Sequence, residues 1–301
     1  MSVVVVAHDM AREVPRTLRT LSMPYQRGIS PRDVEIIVVD NGSSEPLSES
    51  SFEPLEAVTR LVRIDDASPS PAQAANVGID RAAGEFVGLV VDGARMASPG
   101  LLASSCRARR LFDETIVAAV GYHLGPQRHM DAHHAGYDQR VEDELLAGVP
   151  WEDDGYQLFA LATLAGSSAW GWFQPLAESS ALFMSKRLWS RLGGLDERFE
   201  LPGGGLVNHD LYRRACAASG TKLVVLLGEG TFHQFHGGAA TSRRFSFEDM
   251  QADYEQLRGE RYRAPRKETF YFGRIPPTAM SHLTESVRLA IERDEQRAAG
   301  G

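Results

Sequence analysis

Short runs of apolar, mostly β-branched residues recur along the chain, at positions 3–6 (VVVV), 34–39 (VEIIVV), 60–64, 86–91 (FVGLVV), 180–184 and 223–227 (LVVLL). Apolar runs without alternation are the pattern of strands covered on both faces. Between them the spacing predicts helices over residues 15–21, 71–83 (with Gly84 placed to cap the end), 186–192, 209–219 and 247–260. Strand alternating with helix through the first half predicts an α/β, Rossmann-like fold, a mostly parallel central sheet with helices on both faces. Residues 122–154, rich in His, Asp and Gly, read as loops. Pro265, Pro276, Pro277 and a charged, alanine-rich end mark off a helical extension, dividing the chain into 1–243 and 244–301.

Three of the predicted strands run out into polar residues: His8 and Asp9 after the first, Asp40, Asn41 and Ser43 after the second, and Asp92 after the fourth. Ligands of open α/β sheets bind beyond the C-terminal strand edges, so these residues form the expected binding edge, with Arg12 and Glu13 beside it. Asp40 can accept a hydrogen bond from a base N–H, or merely open an Asn-Gly turn. Asp92, followed by Gly93, suits a hard metal ion or a ribose hydroxyl, or a plain Asp-Gly turn. His233 and His236, spaced H-x-x-H beyond the last apolar run, suit a Mn2+-like ion. Either could instead be bonded to backbone, and one ligand from the pair is expected. Asp210 follows a triple glycine at a predicted helix start, where it is either an N-cap or a general base, and His209 competes for the second role.

Composition narrows the partners. The 301 residues carry a net charge of -8 with no concentrated basic patch, which disfavours nucleic-acid binding. Cys106 and Cys216 form no CxxC pair, so neither a disulfide framework nor a zinc knuckle is expected. The N-terminal apolar run is far shorter than the ~20 residues of a membrane span and lacks the cationic start of a signal peptide. A cytoplasmic location is the default expectation, with peripheral membrane contact left open and a homodimer not excluded.

These residues together resemble the family 2 glycosyltransferases of GT-A fold, from residue 3 to about 238. VVVVAHDMAREVPRTLRTL looks like the family's opening strand and helix, VEIIVVDNGS its second strand and base-binding aspartate (Asp40), and AANVGIDRAAGEFVGLVVDG the approach to its metal-binding Asp-x-Asp. ESSALFMSKRLWSRLGGLDERF is similar to the acceptor-side strand, helix and "GGFDE" signature. The resemblance implies transfer of a sugar from a UDP- or GDP-sugar to an acceptor hydroxyl, with inversion and with Mn2+ or Mg2+ on the diphosphate. It implies a nucleotide site at His8, Asp9, Arg12, Glu13, Asp40, Asn41, Asn76 and Asp92, a metal site at Asp92, His233 and His236, and Asp210 as base. Trp170, Trp172, Glu178 and His209 become acceptor candidates, with core or lid burial as the alternative for the tryptophans. The departures are specific: Ala94 replaces the second carboxylate of Asp-x-Asp, Ala75 stands where an arginine often precedes the helix asparagine, and Val207 and Asn208 fall on the family's Glu-Asp motif. Two rival readings are a non-catalytic nucleotide-sugar-binding protein and a metalloenzyme built on His123, His129, His133 and His134; these four are read here as solvated loop residues or acceptor contacts.

Overall fold

In the computed structural model of the protein, which describes residues 1–52, 55, 57–129, 136–236 and 246–299, the first apolar run forms β1 (Ser2–Ala7). It lies between β2 (Glu35–Asp40) and β4 (Phe86–Val90), parallel to both, and β3 (Val58–Arg63) continues in parallel beyond β2. On the other side β4 meets β8 (Ala181–Ser185) antiparallel; β6 (Thr115–Leu124), β9 (Lys222–His233) and β10 (Thr269–Gly273) follow in that order. Two short strands, β5 (Arg95–Ala97) and β7 (Ala162–Leu164), attach antiparallel to β9 and β6. Among the described residues the strands thus join into one sheet, mostly parallel, as expected.

Successive strand residues point to opposite faces, so β1 and β2 feed two cores. Val4, Val6, Ile37 and Val39 enter one, Val3, Val5, Ile36 and Val38 the other. The second core is closed by α1 (Glu13–Leu21) and α3 (Leu101–Ala108) through Val14, Leu18, Leu101 and Leu102. The first is closed by α2 (Ala72–Arg81), α5 (Lys186–Leu192) and α6 (Val207–Ala217) through Ala75, Ile79, Trp189 and Leu211. Full burial of such a side chain stabilises by about 1.5–3 kcal/mol, which is why the central strands carry almost no polar residue. Of the remaining helices, α4 (Gln139–Ala147) precedes β7, and α7 (Phe247–Arg258) and α8 (Met280–Ala299) belong to the C-terminal part.

Several segments differ from the sequence reading. β6 forms where no strand is expected and runs into the stretch read as loop: β8 and β9 pair with its two edges, and its two faces enter the two cores through Ile116 and Ala118 on one side and Val117 and Ala119 on the other. β9 continues past the LVVLL run to His233: the β6–β9 register shifts between Ala118 and Val120, and Gly228 takes a φ of 70°, so the strand kinks and goes on. Helix α6 begins at Val207 with Leu206 in the cap position, which puts Asp210 inside the first turn rather than at the N-cap. Gly84 does not cap α2, whose C-cap is Ala82; it is needed because a Cβ there would lie 2.6 Å from Ser2 Oγ. The C-terminal part carries the expected helices and, in addition, β10. The boundary at 243/244 lies outside the described residues. No helix among them is long and apolar enough to cross a membrane.

Glu229 on β9 fastens the turn between β5 and α3. Its Oε2 accepts Ser98 Oγ (2.5 Å) and Gly100 N–H (3.1 Å), and its Oε1 accepts Tyr156 O–H (2.9 Å). Burial pushes this carboxyl up to about 7 against those hydrogen bonds. A folded-state pKa above the unfolded one means that the folded chain binds more protons between about pH 4.5 and 7, so stability falls as pH rises through that window. The expected loss is about 3 kcal/mol. Glu229→Gln, able to accept from Ser98 and donate to Tyr156, should abolish it. Urea unfolding at about pH 5 and about pH 8 checks this: the variant should gain on the wild type only at the higher pH.

Candidate active site

The turn after β4 assembles the centre of the site. Asp92 Oδ1 accepts the Ala94 N–H at 2.9 Å, closing a tight turn over Gly93, where a Cβ would lie 2.9 Å from Ala7 Cβ. The chain then enters β5, whose Arg95 stands opposite His233, and Ala94 O accepts the Gln234 N–H at 2.7 Å. This pairing carries Asp92 Oδ2 to 2.8 Å from His233 Nε2 and 3.5 Å from His236 Nε2, with the two Nε2 atoms 3.1 Å apart. Burial disfavours ionising Asp92, but the two imidazoles outweigh it and hold the carboxyl well below the usual carboxylate range. Burial pulls His233 down to about 4 although Asp92 opposes it, whereas at His236 the Asp92 charge outweighs burial and the shift is upward.

The donor set fits one divalent ion. Among the described residues these three are the group whose ligand atoms converge in this way. Octahedral bonds of about 2.1 Å from a single ion, at right angles, separate donor atoms by about 3 Å, close to the spacing found here. The sequence reading expected one histidine of the pair; the structure brings both.

The loop between the histidines is braced by α1 and α4. Phe235 N–H donates to Glu142 Oε2 (2.6 Å), and Phe235 O accepts from Arg12 Nη1 (3.2 Å). Arg12 also reaches Glu13, Gln139 O, Glu142 and Asp143, while Glu13 Oε1 accepts from Gln139 Nε2. Arg12 and Glu13, expected at the nucleotide, are therefore engaged in holding α4 against the loop at residues 234–236. Glu142, whose carboxyl burial raises to about 7, had no place in the sequence reading. The sequence pattern of its segment predicts a loop.

A second polar cluster gathers where β1, β2 and β3 end. Asp40 is buried and fully used: it accepts from Ser43 N–H (2.9 Å), Leu47 N–H (3.1 Å) and Arg63 Nη1 (2.8 Å). These contacts outweigh burial and keep its carboxyl below the ordinary range. Asn41 donates to Ser68 O at 2.9 Å, while its Oδ1 is buried without a partner. His8 Nδ1 lies 2.9 Å from Asn41 O. Asp9 adopts φ 52°, rare for a residue with a side chain, and its Oδ1 accepts from Ser44 N–H and Oγ. Asn76, by contrast, clasps the turn after α5 through Leu195 N, Leu195 O and Glu197. A groove of about 650 Å³ opens beside Ser68, lined by Asp66, Glu197 and Glu200 and by Asp196 paired with Arg198.

Near the start of α6, Asp210 is held on both oxygens: Oδ2 by Arg214 Nε (2.7 Å) and Arg258 Nη2 (2.8 Å), Oδ1 by Arg258 Nε (2.6 Å). Arg258 comes from α7, so the C-terminal part is anchored through this ion pair. Glu178 is buried with Oε2 unpartnered, and it raises the pKa of His209 against a larger lowering by burial. Trp172 is buried, its backbone N–H donating to Ser286 Oγ on α8 while its indole Nε1 is buried without a partner, and Arg293 lies 4.7 Å over the Trp170 ring. Trp172 thus packs in the core and Trp170 meets α8 through Arg293.

His123 is only partly solvated, and His129 is not solvated. Their rings lie 5.3 and 5.2 Å from that of His233, and His129 is fully buried. The missed strand β6 is the reason: it pairs His123 directly with His233. His133 and His134 lie outside the described residues.

A family profile described as "Glycosyltransferase like family 2" matches residues 3–225. No curated protein matches the chain. Among solved structures, S. aureus TarS 1–349 in complex with UDP-GlcNAc is 14% identical with a TM-score of 0.53, covering 83% of this chain and 64% of its own. This chain therefore spans less than two thirds of that protein's length. A mannosyltransferase from Pyrobaculum calidifontis, PcManGT, in complex with GDP-Man and Mn2+, is 15% identical with a TM-score of 0.52, covering 100% of this chain and 75% of its own. Both likenesses concern the fold, which is GT-A. With the profile spanning most of the chain, the protein belongs to the glycosyltransferase-like family 2.

Proposed function

We propose that this protein transfers a sugar from a nucleotide-diphosphate donor to an acceptor hydroxyl, with inversion, using a divalent ion at Asp92, His233 and His236. The observation that carries the reading is the convergence of three donor atoms at the end of β4, on the same sheet edge as a polar cluster that still has an unfilled buried acceptor, Asn41 Oδ1. A Mn2+ or Mg2+ ion bound there would neutralise charge on the departing diphosphate. The chain's own residues do the rest. Asp40 and Arg63 shape the loop at residues 41–47, and we assign the partnerless Asn41 Oδ1 to a base N–H or a ribose hydroxyl of the donor. Both oxygens of Asp210 are committed to arginines, so we assign it as an anchor. We assign proton removal from the acceptor to Glu178, beside His209. The pairing of Val90 with Ala181 brings the segment before β8 to the end of β4, and Ser180 Oγ lies 2.9 Å from Thr231 Oγ1, two residues before His233.

A thermal-shift titration with UDP, GDP and their sugars, with and without Mn2+, tests the donor class. A ligand at a hundred times its Kd stabilises the folded chain by about 2.7 kcal/mol, several degrees of Tm, and the shift should need Mn2+. If no nucleoside diphosphate moves Tm, the donor assignment fails. Stabilisation without any turnover would leave the non-catalytic nucleotide-sugar-binding reading.

A further inference from the structure

His233 turns its Nε2 to Asp92 and His236, and its Nδ1 is buried without a partner. An imidazole that gives one nitrogen's lone pair to a metal keeps a proton on the other. A buried N–H with no acceptor is costly, and metal-bound histidines pass it to an outer partner whose loss weakens metal binding ten- to a hundred-fold.

Two rings adjoin His233 on this side, and their tautomers can be read from their bonds. His123 Nδ1 accepts the His129 backbone N–H at 2.9 Å, so the neutral ring carries its proton on Nε2 and offers no further lone pair. His129 is the reverse. Its Nε2 lies 2.9 Å from Leu124 O, a pure acceptor, so Nε2 is the protonated nitrogen and Nδ1 holds a lone pair that is buried and unused. The ring centroids of His129 and His233 are 5.2 Å apart. The neighbouring His233–His236 pair, with centroids 5.1 Å apart, has its nitrogens at 3.1 Å. That pair shows that a centroid separation of this size is compatible with an imidazole–imidazole nitrogen contact.

We infer that His129 is the positioning partner of His233, its Nδ1 accepting the His233 Nδ1–H when His233 Nε2 is committed to the metal. This rests on the metal-site reading above. It gives the buried His129, in the segment after β6, a function: holding one ligand in the correct tautomer and orientation before the ion arrives.

The test is Mn2+ affinity without nucleotide, read from the EPR signal of free Mn2+. His129→Phe keeps a ring but removes the acceptor; it should bind Mn2+ ten- to a hundred-fold more weakly while keeping the Tm of the metal-free protein. His129→Gln, which can donate to Leu124 O and accept from His233, should stay within a few-fold of wild type, a rescue that a purely structural role does not predict. Wild-type Mn2+ affinity in a folded His129→Phe overturns the inference. Its failure is separable from that of the metal site: if wild type binds Mn2+ and His233→Ala does not, the site stands whatever His129 does, whereas no binding by wild type removes both. Should His129→Phe not fold, imidazole 15N NMR of the wild type titrated with diamagnetic Zn2+ decides. The His129 Nδ1 resonance should move to that of a hydrogen-bonded acceptor, and no movement counts against the proposal.

Discussion

Asp92→Asn should abolish saturable Mn2+ binding and lower sugar transfer by about a thousand-fold or more, while leaving the fold intact. The magnitude follows from the role: Lewis-acid stabilisation of a leaving diphosphate contributes several kcal/mol, and each 1.4 kcal/mol is about tenfold in rate. Asp92 supplies the anionic member of the trio, and Ala94 provides no second carboxylate to replace it. Asparagine is the informative substitution because its side-chain oxygen can still accept the Ala94 N–H that closes the turn. A loss of metal binding is then a loss of charge and donor, not of local structure. Mn2+ titration followed by EPR, with a transfer assay on UDP- and GDP-sugars, gives both readouts. Asp92→Asn with unaltered Mn2+ affinity would place the ion elsewhere.

The second expectation separates two carboxylates that sequence reading cannot rank. Asp210→Asn should cost about 3 kcal/mol of stability, because removing one member of a buried ion pair leaves the others uncompensated. Here the others are Arg214 and Arg258, both bound to a carboxylate whose side chain is 1% exposed; Arg258 keeps Asp196 as a second partner, which holds the loss to the lower end of such costs. In a chain of this size that corresponds to a Tm lower by roughly 5–10 °C, and transfer per folded molecule should stay within about tenfold of wild type. Glu178→Gln should do the opposite, lowering kcat by about a hundred-fold or more, the usual share of a general base, with donor binding and Tm preserved. The roles exchange if Asp210→Asn is stable and inactive while Glu178→Gln is active; that outcome restores the base first suggested by sequence. The structural reason to expect otherwise is that Asp210 already receives guanidinium N–H groups on both oxygens, whereas Glu178 Oε2 receives none.

Much of this molecule follows from its linear pattern. Continuous apolar runs predict strands covered on both faces, and the polar residues that end them at His8, Asp40 and Asp92 predict the binding edge. Both are local consequences: a run of valines can satisfy its surface only by burial, and polar side chains must stop where the sheet stops. Asp92 and the two histidines could likewise be named as metal candidates from residue type alone. Their assembly could not. It depends on β9 continuing past its apolar run as far as His233 and on β5 pairing with it across some 140 positions of chain, Arg95 against His233, a contact between segments with no local signal.

The same holds for the residues whose roles changed. Arg12, Glu13, Asn76 and Asp210 are polar residues in plausible places, and only their neighbours show that each is committed to another element: α4, the turn after α5, or α7. Charge and polarity are written in the sequence. Which charges are already neutralised, and which buried nitrogen or oxygen still lacks a partner, is decided by tertiary structure, because it depends on what the rest of the chain brings within 3 Å.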